Sequence, residues 1–201
     1  GVVFFTMRQM NDGTNRSLLM WYESLAGKGQ FSKPRYLINS LTSDYYHIKL
    51  LDFDKNGYPD LVIRSEAQRA ILLIKNLGGY FGQIENIASI SRNISDIELI
   101  DTNGDNLLDL LYLDFDEQQM ISIINEGDSR FGETNVLHSG FNVTGFSFRF
   151  VSIDIQDLDN DGLEDIVTSS MSNMTYFKNN GSGIDTGIVV LSQGLLPIEF
   201  I

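Results

Sequence analysis

The chain contains no cysteine, which excludes disulfides, thiol nucleophiles and cysteine-ligated zinc together. Only two histidines occur, His47 and His138. They form no ligand-spaced pair, and both read as strand or surface residues. A Gly-x-Ser-x-Gly elbow and a His-Glu-x-x-His pair are missing, so two common hydrolase signatures fail. No apolar stretch approaches the length of about 20 residues that a membrane-spanning helix needs. No long window keeps apolar residues at helical spacing. Runs of Lys and Arg are missing as well. The chain has 14 bases against 27 acids, a formal charge of −13, and that balance argues against nucleic acid.

Three short acidic loops recur at regular intervals instead. They read Asp52-Phe53-Asp54-Lys55-Asn56-Gly57-Tyr58-Pro59-Asp60, Asp101-Thr102-Asn103-Gly104-Asp105-Asn106-Leu107-Leu108-Asp109 and Asp157-Leu158-Asp159-Asn160-Asp161-Gly162-Leu163-Glu164-Asp165. Oxygen-bearing side chains stand at loop positions 1, 3, 5 and 9, and Gly or Asn stands at position 6. Carboxylates packed this closely repel one another unless a hard cation lies among them. Gly57 and Gly162 permit the positive φ of a loop closing on an ion, and Asn106 is the next most tolerant residue. An EF-hand would close with a bidentate Glu at position 12, where Ile63, Tyr112 and Thr168 stand here. A solvated acidic turn accounts for one such loop but poorly for three. The expected cofactor is therefore calcium, one ion per loop and three in the chain. Ten of the 27 acids are loop aspartates, so three bound ions would bring the net charge to about −7.

Asp60, Asp109 and Asp165 lead straight into Leu61-Val62-Ile63, Leu110-Leu111-Tyr112 and Ile166-Val167-Thr168, which are strand-like runs. A second motif keeps step with the loops. It is an apolar strand, an Asn/Gly turn and then a large apolar residue: Phe31, Phe81, Phe131 and Ile184, spaced by 50, 50 and 53 residues. One period holds four short strands, expected at 47–52, 61–65, 70–76 and 81–89. That count and period describe a β-propeller blade. The extra residues of the third interval fall at 139–148 and read as a longer inter-strand loop. A parallel β-solenoid of calcium-binding repeats is the runner-up, but its repeats are far shorter. Gly1-Val2-Val3-Phe4-Phe5 parallels the strand after the first loop, and Leu196-Pro197-Ile198-Glu199-Phe200-Ile201 parallels the strand before the second. The expectation is an all-β propeller segment over residues 1–201, with further blades of the same polypeptide completing a larger ring. A four-bladed ring completed by both termini is the alternative.

The loop and turn motifs together resemble the FG-GAP/VCBS repeats of integrin α-subunit-like β-propellers, over nearly the whole chain. The resemblance implies calcium held between the first two strands of each blade. The implied ligands are Asp52, Asp54, Asn56 and Asp60; Asp101, Asn103, Asp105 and Asp109; and Asp157, Asp159, Asp161 and Asp165. The backbone carbonyls of Tyr58, Leu107 and Leu163 would complete the shells. The second loop departs from the family pattern, with Asn103 at position 3 and Asn106 where Gly is usual.

Loops of this kind in extracellular modules load at about 10⁻⁴ to 10⁻³ M calcium, which cytosol does not supply. Five Asn-x-Ser/Thr sequons, at Asn15, Asn93, Asn142, Asn173 and Asn180, exceed the chance number of about two and point to a secretory route. A bacterial exported protein satisfies the calcium logic equally. The expected role is extracellular, secreted or at the cell surface: adhesion, or recognition of a protein or glycan ligand at a propeller face, without catalysis. A calcium-dependent polysaccharide lyase or hydrolase is the competing class, and a structural spacer in a surface assembly is the third. Asp185-Thr186-Gly187 matches an aspartic-protease triplet but has no second copy. Asp114, Asp116 and Glu117 read as a solvated hairpin turn rather than a glycosidase pair. Trp21-Tyr22 and Tyr45-Tyr46 suit sugar stacking, though strand aromatics more often pack in a core.

Overall fold

The computed structural model describes residues 2–9, 15–25, 29–40, 46–78, 80–95, 97–128, 130–140, 152–169 and 173–192. Of the features above, Gly1, Tyr45, Asn142, most of 139–148 and the stretch 196–201 lie outside them. Among the described residues the regular structure is entirely antiparallel β. The first blade holds β1 (Val2–Gln9) and β2 (Asn15–Tyr22), a short hairpin of β3 (Ser24–Leu25) and β4 (Gln30–Phe31), and β5 (Arg35–Ser40). The second is a four-stranded sheet of β6 (Tyr46–Leu51), β7 (Asp60–Ser65), β8 (Ala70–Asn76) and β9 (Phe81–Ser89). The third repeats it with β10 (Glu98–Ile100), β11 (Asp109–Asp114), β12 (Gln119–Gly127) and β13 (Arg130–Ser139). The fourth consists of β14 (Ser152–Gln156), β15 (Asp165–Ser169), β16 (Asn173–Phe177) and β17 (Ile188–Ser192). Strands pair in chain order within each sheet, as in a propeller blade.

The core lies between blades, which explains why the second strands read as unbroken apolar runs. In a strand successive side chains point to opposite faces, and here both faces are covered by a neighbouring blade. Leu61 and Ile63 pack toward the first blade with Leu19 and Leu37. Val62, between them, packs toward the third blade with Leu73, Leu110 and Tyr112. Leu111 and Leu113 join Ile166 and Phe177 of the fourth blade in the next interface. The period of two thus selects which neighbour a residue meets.

A β-bulge recurs where β2 meets β5, β8 meets β9, β12 meets β13 and β16 meets β17. The register slips at Leu19/Met20, Ile71/Leu72, Met120/Ile121 and Met174/Thr175. The slip leaves Leu37, Ile87, Leu137 and Val190 unpaired on the outer strand, and a bulge re-aims such a residue. Leu37, Ile87 and Leu137 each pack into the interface with the following blade. The large residue after each turn points the other way. Phe81 meets Trp21 of the first blade edge-on at 5.0 Å, and Phe131 meets Phe53 of the second at 5.3 Å. The sequence spacing of these anchors is therefore the spacing of the blade interfaces.

Candidate metal centres

Each acidic loop connects the first and second strands of its blade, as expected. Its backbone is shaped by its own side chains. Position 1 accepts the amide N–H of position 6: Gly57 to Asp52 at 2.7 Å, Asn106 to Asp101 at 2.8 Å and Gly162 to Asp157 at 3.0 Å. Position 3 accepts from position 5, through Asp54, Asn103 and Asp159 at 3.2, 3.0 and 3.2 Å. Position 5 accepts from position 7, so Asn56, Asp105 and Asp161 hold the N–H of Tyr58, Leu107 and Leu163 at 2.8, 2.8 and 2.9 Å. These bonds tie the loop into one shape before any ion is considered.

Positive φ falls at position 6 in all three loops, at Gly57, Asn106 and Gly162. It falls at position 4 as well, at Lys55, Gly104 and Asn160, which sequence reading did not anticipate. The second loop has moved its glycine from 6 to 4, and the fold supplies the reason. A Cβ on Gly104 would collide with the carbonyl oxygen of Gly181, in the turn of the next blade. Asn179 of that turn also donates to the Asp101 carbonyl at 2.9 Å. Beside this close approach lies a cleft between the third and fourth blades, lined by Asp101, Asn106, Glu164 and Asn179 among others.

The position-9 aspartates differ from the rest, being fully buried. Each clamps its loop to the Asn/Gly turn of the same blade. Asp60 accepts from the amides of Phe53 at 3.1 Å and Asn76 at 2.7 Å. Asp109 accepts from the Thr102 amide and hydroxyl and from the Asn125 amide at 2.8 Å. Asp165 accepts from Leu158 at 3.1 Å, the Tyr176 hydroxyl at 3.1 Å and Asn179 at 2.9 Å. The asparagines return the bond: Asn76, Asn125 and Asn179 donate to the carbonyls of Pro59, Leu108 and Glu164. Burial pushes the carboxyls of Asp60 and Asp109 above the usual range, against the pull of these donors. A nearby cation would restore the charged form.

Two loops bring three carboxylates together. Oxygens of Asp52, Asp54 and Asp60 lie within 4.8 Å of one another, as do those of Asp157, Asp159 and Asp165. This all-oxygen donor set suits a hard divalent cation such as Ca²⁺ or Mg²⁺ rather than zinc. Among the described residues the second loop forms no such group, because Asn103 replaces an acid there. Its amide donates instead to Asp105 at 3.0 Å. The third loop holds a residue that sequence reading missed. The Lys178 ammonium reaches the carboxylates of Asp159 and, at 2.7 Å, Asp161. Hydrogen bonding to Lys178 holds Asp161 below the usual carboxylate range, while Asp159 and then Asp161 raise Lys178. Lys75, one residue before its own turn asparagine as Lys178 is, reaches across to the Asp128 carbonyl of the next blade at 3.4 Å.

Other residues singled out in the sequence occupy structural places. His138 stacks edge-on against Phe177 at 5.1 Å, and burial lowers its pKa. Asp114 accepts from the amides of Asp116 and Glu117, both at 3.0 Å, within a hairpin turn. Two sequon asparagines spend their amides on carboxylates, Asn93 on Asp116 at 2.7 Å and Asn180 on Asp185 at 2.8 Å.

Residues 52–112, from the start of the first loop through the second, match the family model of the FG-GAP-like repeat. No curated protein matches the chain. Among solved structures it is similar to an Agrocybe aegerita lectin described as recognising non-reducing terminal N-acetylglucosamine, with a TM-score of 0.68 at 18% identity. The match covers 94% of this chain and 52% of that one, so the chain spans about half the length of the lectin. At this identity the likeness speaks for the fold alone, and the fold is a β-propeller.

Proposed function

We propose that this chain, a β-propeller built on the FG-GAP-like repeat, is a calcium-stabilised extracellular module that recognises a glycan or protein ligand. The observation that carries the cation is the convergence of Asp52, Asp54 and Asp60, repeated by Asp157, Asp159 and Asp165. Glycan recognition is supported by the fold shared with an N-acetylglucosamine-binding lectin. The cleft between the third and fourth blades, lined by both apolar and polar residues, offers a concave surface for such a ligand. Calcium acts here through folding: the aspartates hold the loops that shape the surface the ligand meets.

The test is a glycan array and a binding titration in calcium and in EDTA. Asp52→Asn is expected to reduce bound ligand in proportion to lost folded protein, leaving the affinity of the folded fraction unchanged. A catalytic ion would behave otherwise, since its loss abolishes turnover in folded protein. Cleavage of an acidic polysaccharide by the calcium-loaded protein would overturn the recognition reading.

The three loops are expected to bind unequally. The second has the fewest convergent carboxylates and should release its ion first on dilution; a titration finding it tightest would contradict this order. In the third, an incoming cation must displace Lys178. Lys178→Met is therefore expected to tighten that loop by about fivefold, the scale of one surface ion pair. Calorimetric titration of both proteins reads this directly, and an unchanged third affinity would refute it.

A further inference from the structure

One buried side chain between the third and fourth blades belongs to two acidic loops at once. Asn179 is 2% exposed. Its backbone N–H donates to the Asp165 carboxylate at 2.9 Å, which ties it to position 9 of the third loop. Its side-chain amide donates to the Glu164 carbonyl of that loop at 3.0 Å. Across the interface the same amide donates to the Asp101 carbonyl at 2.9 Å, and Asp101 is position 1 of the second loop. The Asn179 side-chain oxygen accepts from the Gly181 N–H at 3.1 Å and so fixes the turn. A buried amide with its donors spent in this way is held in one orientation.

The same turn meets the second loop at another point. The Gly181 carbonyl lies so close to Gly104 that no Cβ fits between them. Positions 1 and 4 of the second loop are thus both set by the turn of the next blade. The other turn asparagines donate to their own loops, Asn76 to the Pro59 carbonyl and Asn125 to the Leu108 carbonyl. Position 4 of the first loop is Lys55, whose Cβ bars so close an approach. The turn of the second blade reaches that of the third through the exposed Lys75 ammonium at 3.4 Å, a weaker link.

We propose that the second and third loops bind calcium cooperatively, coupled through Asn179 and the Gly104–Gly181 contact. This coupling rests on the calcium reading above and adds that these two loops fill together. Filling the third loop orders the Asp165 carboxylate, and the Asn179 turn and the Asp101 carbonyl are ordered with it. The second loop then has less freedom to lose when its own ion arrives. Linkage makes the effect reciprocal. The loop with the poorest donor set, where Asn103 replaces an acid, thereby gains affinity from its better-equipped neighbour.

The experiment is a calcium titration of the 201-residue chain followed by nuclear magnetic resonance. The amides of Gly57, Asn106 and Gly162 each donate to the first aspartate of their own loop, so they report the three loops separately. Asp157→Ala removes a carboxylate from the third loop and is expected to weaken the second by at least about fivefold. Asp101→Ala should weaken the third loop by the same factor, as reciprocity requires. Gly57 is the reference, and its midpoint should stay where the wild type has it. Gly104→Asn keeps a residue that tolerates positive φ, as Asn160 does at the same position of the third loop, but its Cβ forces the Gly181 turn away. In that background Asp157→Ala should no longer move the Asn106 midpoint. An unchanged Asn106 midpoint in Asp157→Ala alone would overturn the coupling. So would a shift shared equally by Gly57, or a coupling that survives Gly104→Asn. Those results leave the calcium reading standing, whereas three amides all blind to calcium would fell both.

Discussion

Excess EDTA is expected to lower the melting temperature of this protein by about 10–20 °C. A ligand at a hundred times its dissociation constant adds about 2.7 kcal/mol per site. The two loops whose carboxylates converge would thus contribute about 5 kcal/mol together. For a chain of this size, each kcal/mol moves the midpoint by about 2–4 °C. Magnesium should not restore the loss, because although the donor set is also all-oxygen, Mg²⁺ dehydrates reluctantly and demands near-ideal octahedral geometry. The direction of the pH effect follows from the buried aspartates. Asp60 and Asp109 have raised pKa values in the folded state, so in the cation-free fold these two groups bind more protons than they do in the unfolded chain. Their contribution to its stability is greatest below their unfolded values and falls as pH rises through the folded ones. With calcium bound the sign reverses, since protons compete with the ion for the same oxygens. A melting curve indifferent to EDTA would end the calcium reading.

Asp109→Ala is expected to cost about 3–5 kcal/mol even when EDTA is already present. The substitution strands three buried donors, the Thr102 amide, the Thr102 hydroxyl and the Asn125 amide. An orphaned buried donor costs about 1–3 kcal/mol, and relief of the carboxylate's own burial offsets part of the sum. Asp101→Ala in the same loop is the control. Its carboxylate also holds backbone amides, but at an exposed site where water replaces it. In EDTA it should cost less than about 1 kcal/mol. Urea unfolding of both variants in EDTA measures the difference. If both prove equally mild, position 9 is only a ligand and the clamp to the turn contributes nothing.

That second effect was hidden in the sequence, and the reason is distance along the chain. Asp109 looked like one more oxygen in a ligand pattern, because spacing of 1, 3, 5 and 9 is a local property. Its partner Asn125 lies 16 residues away and looked like a turn residue. Only the pairing of β11 with β12 brings the two together. Lys178 was invisible for the same reason, since it reaches a loop 17 residues earlier. Asn106, where Gly is usual, looked like a departure from the pattern, and only the Gly181 carbonyl of the next blade shows why the glycine stands at position 104 instead.

What the sequence determined by itself was everything whose cause is short-range. Positive φ at Gly57, Asn106 and Gly162 follows from loop closure. The strand boundaries expected at 47–52, 61–65, 70–76 and 81–89 appear as Tyr46–Leu51, Asp60–Ser65, Ala70–Asn76 and Phe81–Ser89, because turn chemistry sets strand ends. Tertiary structure alone decided which face each apolar residue serves. Leu61 and Val62 are equally buried neighbours in one run, yet one joins the first interface and the other the second. It also decided that Phe53 is core while Leu158, at the same loop position, lies open. Burial in a propeller belongs to the pair of blades, so no single repeat encodes it.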